Sequence, residues 1–342
     1  MKGDPGSHSG RTEPPRPALG SDPVPGGWAT RIVAPSLLAL RHAAIGLSLT
    51  PGRVRSRHTG PFHSLFKGRG IEFAESRLYQ AGDEVRHMDW RVTARTGKPH
   101  TKIFHEDREQ AILVWIDLRA AMFFATRGLF KAVSAARAAA LIAWGAALQG
   151  NRLGGLLFTD HHHREIRPLR GDHGVLHLIG LLAAESAPLA GADDPAPAQE
   201  MEAALVRLRR VTRPGSLLFL FSDFAQLDAR DKIHLAQLAR QNDLVMMFFH
   251  DPLERTLPPP GWYPLHDGQR RFILDSRSAA KRRQYQEQFQ QRQEDLAQFC
   301  RQHGILFLSC STEQDSVALL QRQFGTHGGT HGQEHGHPLP RP

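Results

Sequence analysis

From Ala111 onward the chain alternates short, continuously apolar runs with longer stretches of helical period, and this rhythm limits the fold more than any other feature. "AILVWID" (111–117), "LGGLLFT" (153–159), "GSLLFLFSD" (215–223), "DLVMMFFHD" (243–251) and "GILFLSC" (304–310) read as strands. Because they are apolar at nearly every position, both of their faces must be covered, as in a parallel sheet between two helical layers. The intervening segments supply the helices. The Ala-rich "FKAVSAARAAALIAWGAALQG" ends on Gly150, and 174–185, 199–210, 229–241 and 313–323 also have helical patterns. Tyr285, Phe289, Leu296, Phe299 and Cys300 add one more helical stripe. "REIRP" reads as a polar edge strand, and 260–275 as a hairpin around Asp267-Gly268. Residues 111–324 are therefore predicted to form an α/β domain with a doubly wound, mainly parallel sheet.

A smaller irregular and β-containing segment, 35–110, is expected to precede this domain, starting with a short amphipathic helix over 35–49. Residues 1–34, rich in Pro and Gly, read as a disordered leader, and 325–342, rich in His and Gly, as a disordered tail. The chain has 342 residues and a formal charge of +9, but its arginines are scattered among acids, which argues against a nucleic-acid partner. The run "AAALIAWGAAL" falls short of the roughly 20 apolar residues that span a bilayer. No basic, then apolar, leader is present, so the expectation is a cytoplasmic protein with no membrane span. Cys300 and Cys310 form no C-x-x-C pair and read as buried thiols.

In doubly wound sheets, ligands sit beyond the carboxyl ends of strands, where the strand order reverses. Asp117 and Asp223 each end a strand, and if those strands are neighbours their carboxylates face one crevice. Paired carboxylates suit a hard cation such as magnesium, although an Asp after a strand is also a common helix cap. No phosphate-loop, nucleophile-elbow or zinc-protease motif occurs, so the chain is not expected to be an enzyme. His250-Asp251 reads as a satisfied loop pair.

The stretch "YQAGDEVRHMDWRVTART" (79–96) concentrates opposite charges around Trp90. With "GRGIEFAESRLYQAGDEVRHMDWRVTARTGKPHTKIFHEDRE", the strand from Ala111, "FKAVSAARAAALIAWGAALQGNRLGGLLF" and "LLFLFSDF", it resembles the bacterial "domain of unknown function 58" proteins over roughly residues 50–250. The resemblance implies a von Willebrand factor A-like domain. It also implies partnership with a MoxR-type AAA+ ATPase, with the protein as an adaptor in the maturation or assembly of a client the sequence does not identify. The matching signature residues are Glu72, Phe73, Arg77, Tyr79, Gly82, Asp83, Arg86, Asp89, Trp90 and Arg95. Charged members of this set are expected to form a salt-bridge network with Trp90 as its apolar anchor; a partner-docking surface is the rival reading.

The metal site of such domains begins D-x-S-x-S, and this chain has "DLRAA": Asp117 remains, while Arg119 and Ala121 stand where the serines would be. Asp223 matches the later aspartate of that site. A guanidinium donates and never accepts, so Arg119 is expected to point into the crevice, replace the cation's charge and exclude magnesium. A magnesium-dependent protein-binding module built on Asp117 and Asp223, and a hydrolase without recognisable motifs, are the alternatives.

Overall fold

The computed structural model describes residues 30–49, 72–80, 88–105, 110–185, 201–266 and 271–325. The leader to residue 29, the tail beyond Gly325, the hairpin tip Asp267-Gly268, and Gly82, Asp83 and Arg86 lie outside the described residues. In chain order the elements are α1 (Ala34–Leu38), β1 (Glu72–Leu78), α2 (Trp90–Thr96), β2 (His100–His105), β3 (Ala111–Asp117), α3 (Lys131–Leu148), β4 (Arg152–Phe158), β5 (His163–Arg170), α4 (Asp172–Ala184) and α5 (Met201–Val211). There follow β6 (Leu217–Ser222), α6 (Ala229–Gln241), β7 (Asp243–His250), α7 (Pro252–Arg255), β8 (Trp262–His266), β9 (Arg271–Asp275), α8 (Ala279–His303), β10 (Leu306–Ser311) and α9 (Ser316–Phe324).

Six strands form one sheet in the order β10-β7-β6-β3-β4-β5. All neighbours are parallel except β4 and β5, so the polar edge strand is the antiparallel one. The pleat sends alternate residues to opposite faces. Ile112, Val114 and Ile116 of β3 pack under α1, α3, α4 and α9, whereas Leu113 and Trp115 pack under α5, α6 and α8. This two-sided burial is why the strands are apolar throughout. Cys300 and Cys310 are both free and buried, in different core clusters. Burial pushes both thiols up to about 12. The architecture is a doubly wound, mainly parallel α/β fold with a smaller antiparallel pair, β1 and β2, before it.

Helix α3 crosses the first face with Ala at most of its buried positions, which favours the helix and lets neighbours approach closely. By length and composition it could cross a bilayer, but 83% of it is buried inside this fold, as expected of a core helix. The N-terminal helix expected over 35–49 is shorter than the sequence suggests. Five residues of α1 continue as a 3-10 turn through Ala44, and Gly46 at φ +85° ends the turn. Ile32, Leu37, Leu40, Ala44, Leu47 and Leu49 enter the same core as α3, and Trp144 Nε1 donates to the Leu37 carbonyl at 3.1 Å. Residues 35–49, which the sequence groups with the signature segment, thus pack as part of the α/β unit, and so does Ile32, which the sequence assigns to the leader. No described residue of β1, α2 or β2 belongs to either core cluster.

Candidate functional site

Strands β3 and β6 are neighbours, and the order reverses between them: β4 lies on one side of β3 and β6 on the other. Their register pairs Ile116 with Phe221, which brings Asp117 and Asp223 to the same end of the sheet. Both carboxylates are buried, Asp117 at 1% exposure and Asp223 at 4%. The two strand-ending aspartates thus lie at one end of the sheet, on neighbouring strands.

The geometry shows what fills it. Arg119 turns inward and grips Asp117 with two prongs, Nε to Oδ1 at 3.0 Å and Nη2 to Oδ2 at 2.8 Å. Its backbone amide also donates to Oδ1, at 3.1 Å, and Ser222 Oγ donates to Oδ2 at 2.7 Å. A carboxylate offers about four lone-pair sites, and Asp117 receives four donors. The remaining Arg119 prong, Nη1, donates to Gln226 Oε1, and the guanidinium lies 5.1 Å from the Phe158 ring centroid. Burial works to lower the Arg119 pKa, but the hydrogen bonds and charge of Asp117, with Asp223 and Asp160, raise it above its ordinary value.

Asp223 has its own cation, Lys131 at the start of α3. Lys131 is fully buried, and Nζ donates to Asp223 Oδ2 at 3.0 Å and to Glu254 Oε1 at 2.6 Å. Burial opposes the charges at both ends of this pair. The attraction prevails: Asp223 and Glu254 hold Lys131 above its usual value, while Lys131, the Ala225 amide and Arg119 hold Asp223 below the carboxylate range. The sequence reading missed Lys131. A signal existed, since a cation in the first turn of an apolar helix opposes the helix dipole and needs a carboxylate nearby. The turn after β6 is also held: Ser222 Oγ accepts from the Phe224 amide and Asp223 Oδ1 from that of Ala225. This fixes Phe224 at φ +45°, a positive value found at no other described non-glycine residue.

Next along the same edge, Asp251 is fully buried and accepts from Thr126 Oγ1, Thr312 Oγ1 and the amides of Thr126 and Leu253. The His250 ring instead stacks on Phe248 and meets Phe289 edge-on, so His250-Asp251 forms no catalytic dyad.

In the signature segment, Asp89 caps α2: its Oδ1 accepts from the amides of Arg91 and Val92, both at 3.1 Å. Arg77 Nη1 donates to the Leu78 carbonyl, Tyr79 is half-buried and Arg95 is exposed. Glu72 and Phe73 lie in β1. Trp90 corrects the sequence expectation. It is 65% exposed rather than an apolar anchor, because it starts a seven-residue helix that buries none of its residues.

Comparison with known proteins agrees with the signature segment. The family described as "Protein of unknown function DUF58" matches residues 75–295. The chain belongs to the DUF58 family. DUF58 membership is supported by relatives named as uncharacterized proteins of Mycobacterium bovis and Mycobacterium tuberculosis. Each is 30% identical over 281 residues, 79% of this chain and 84% of the relative. Among solved structures, BatB of Bacteroides thetaiotaomicron is similar, with a TM-score of 0.38 and 9% identity over 63% of this chain and 96% of that one. A von Willebrand factor type A protein of Catenulispora acidiphila has a TM-score of 0.32 and 10% identity, over 66% of this chain and 44% of its own. The fold assignment rests on the strand order and not on these likenesses.

The resemblance to von Willebrand A-like domains implies a divalent cation at this crevice, and the donor set of this chain does not suit one. Asp117 has no acceptor position left, and the hydroxyl positions of D-x-S-x-S are held by Arg119 and Ala121. Two buried side-chain cations already stand beside the two carboxylates. No group of three or more His, Cys, Asp or Glu among the described residues is placed to hold a metal.

Proposed function

We propose that this DUF58 protein is a non-enzymatic, cytoplasmic interaction module that works with a MoxR-type AAA+ ATPase on a client protein. The observation that carries this reading is the closed crevice. At the position where a doubly wound sheet exposes its chemistry, each carboxylate is engaged by an internal cation. Neither Asp117 nor Asp223 is free to act as a base or as a cation ligand. That leaves recognition through surfaces, and the signature segment supplies one. It presents Trp90 on a short helix with exposed Arg91 and Arg95. Trp and Arg are the side chains that most often dominate interface energy. The ATPase partner rests on the family resemblance, an analogy at the level of the family and not of the site.

The test is capture of tagged full-length protein with ATP, ADP or a non-hydrolysable analogue. The expected result is co-purification of a MoxR-type ATPase with a nucleotide dependence, reduced by Trp90→Ala. Failure to recover such an ATPase in any nucleotide state would contradict the reading.

A further inference from the structure

We propose that the open cavity between the β6–α6 turn, α6 and α8 is a receptor for an acidic side chain of a peptide. This goes beyond the ATPase reading and does not depend on it. The cavity measures about 330 Å³. One wall is apolar, made by Phe224 and Leu227 of the turn and Leu296 of α8. The turn is held in shape by the Ser222 and Asp223 hydrogen bonds that fix Phe224 at positive φ.

Apart from Ala225, the other lining groups are polar, and two are cations with no counter-ion among the described residues. The Arg292 guanidinium lies 5.4 Å from the centroid of Phe289 and 5.8 Å from that of Phe248, within cation–π range of both rings. Its Nε is buried with no hydrogen-bond partner. Among the described residues, neither Arg292 nor Lys232 makes an ion pair. One carboxylate, Asp295, lines the same cavity, but it accepts from Gln291 Nε2 at 2.8 Å. Two cations against one engaged carboxylate leave a surplus of positive charge.

A planar guanidinium with no ion-pair partner fits an oxyanion, and a carboxylate best matches its fork. The rest of the lining selects the form in which that oxyanion arrives. Gln288 can bond a peptide backbone, and the wall of Phe224, Leu227 and Leu296 takes an aliphatic neighbour. A bare phosphate would use neither.

Fluorescence polarisation tests the proposal, using full-length protein and a short fluorescein-labelled peptide of glutamate and leucine. The same peptide with glutamine for glutamate serves as control, and inorganic phosphate as competitor. Saturable binding of the glutamate peptide alone is expected, weakened about tenfold or more by Arg292→Gln or by Lys232→Gln. Phosphate should displace the peptide only at far higher concentration. Arg292 lies against core rings, so if its variant fails to fold, Lys232→Gln decides alone. No saturable binding, equal binding of the glutamine peptide, or binding unchanged by Lys232→Gln would overturn the proposal. Displacement by phosphate at the peptide's own concentration would also overturn it, in favour of a free anion.

Discussion

Lys131 and Arg119 together supply two unit charges where a von Willebrand A-like crevice would hold one divalent ion. Each sits in a geometry that makes removal costly. Lys131 is fully buried and its Nζ meets two carboxylates, so Lys131→Met leaves Asp223 charged and without its main counter-ion. Breaking a buried pair from one side typically costs about 3–5 kcal/mol, and a loss of that size is expected in urea unfolding. Lys131→Met combined with Asp223→Asn should recover most of it, because the amide needs no cation and its oxygen can still accept from Ala225. Of the two cations, Arg119 is legible in the sequence because it stands inside a recognisable motif. Lys131 lies 12 residues beyond Arg119 (131 − 119), at a helix start, and only the fold returns that helix to the crevice.

The larger elements were more legible than their terminal residues and surfaces. Each buried strand announces itself by a continuous apolar run, and β5 by its polarity at the sheet edge. Less legible was α1, whose pattern over 35–49 records burial against α3 rather than one continuous helix; a 3-10 turn with Gly46 satisfies the same stripe. Least legible was the signature segment. A tryptophan among opposite charges suggests burial, yet α2 buries nothing and Trp90 stays exposed. This element carries its own prediction. Trp90→Ala should change stability by no more than about 0.5 kcal/mol, as for other surface substitutions. Thermal unfolding checks it, and a loss near the 3–5 kcal/mol typical of removing a core tryptophan would return Trp90 to the role of anchor.

Across the whole molecule, a sheet covered on both faces brings the ends of β3, β6 and β7 together, with Asp117, Asp223 and Asp251 in a row. All three are buried, and each is satisfied from within: by Arg119 and Ser222, by Lys131, and by Thr126 and Thr312. This edge is neutralised by the protein's own side chains and is expected to work without a divalent cation. Calorimetric titration of magnesium and manganese into the full-length protein tests it most directly. No saturable heat is expected at physiological magnesium concentration, with partial restoration of binding only when Arg119→Ser and Ala121→Ser return the hydroxyl ligands. Saturable micromolar binding by the wild-type protein, abolished by Asp117→Ala, would contradict it.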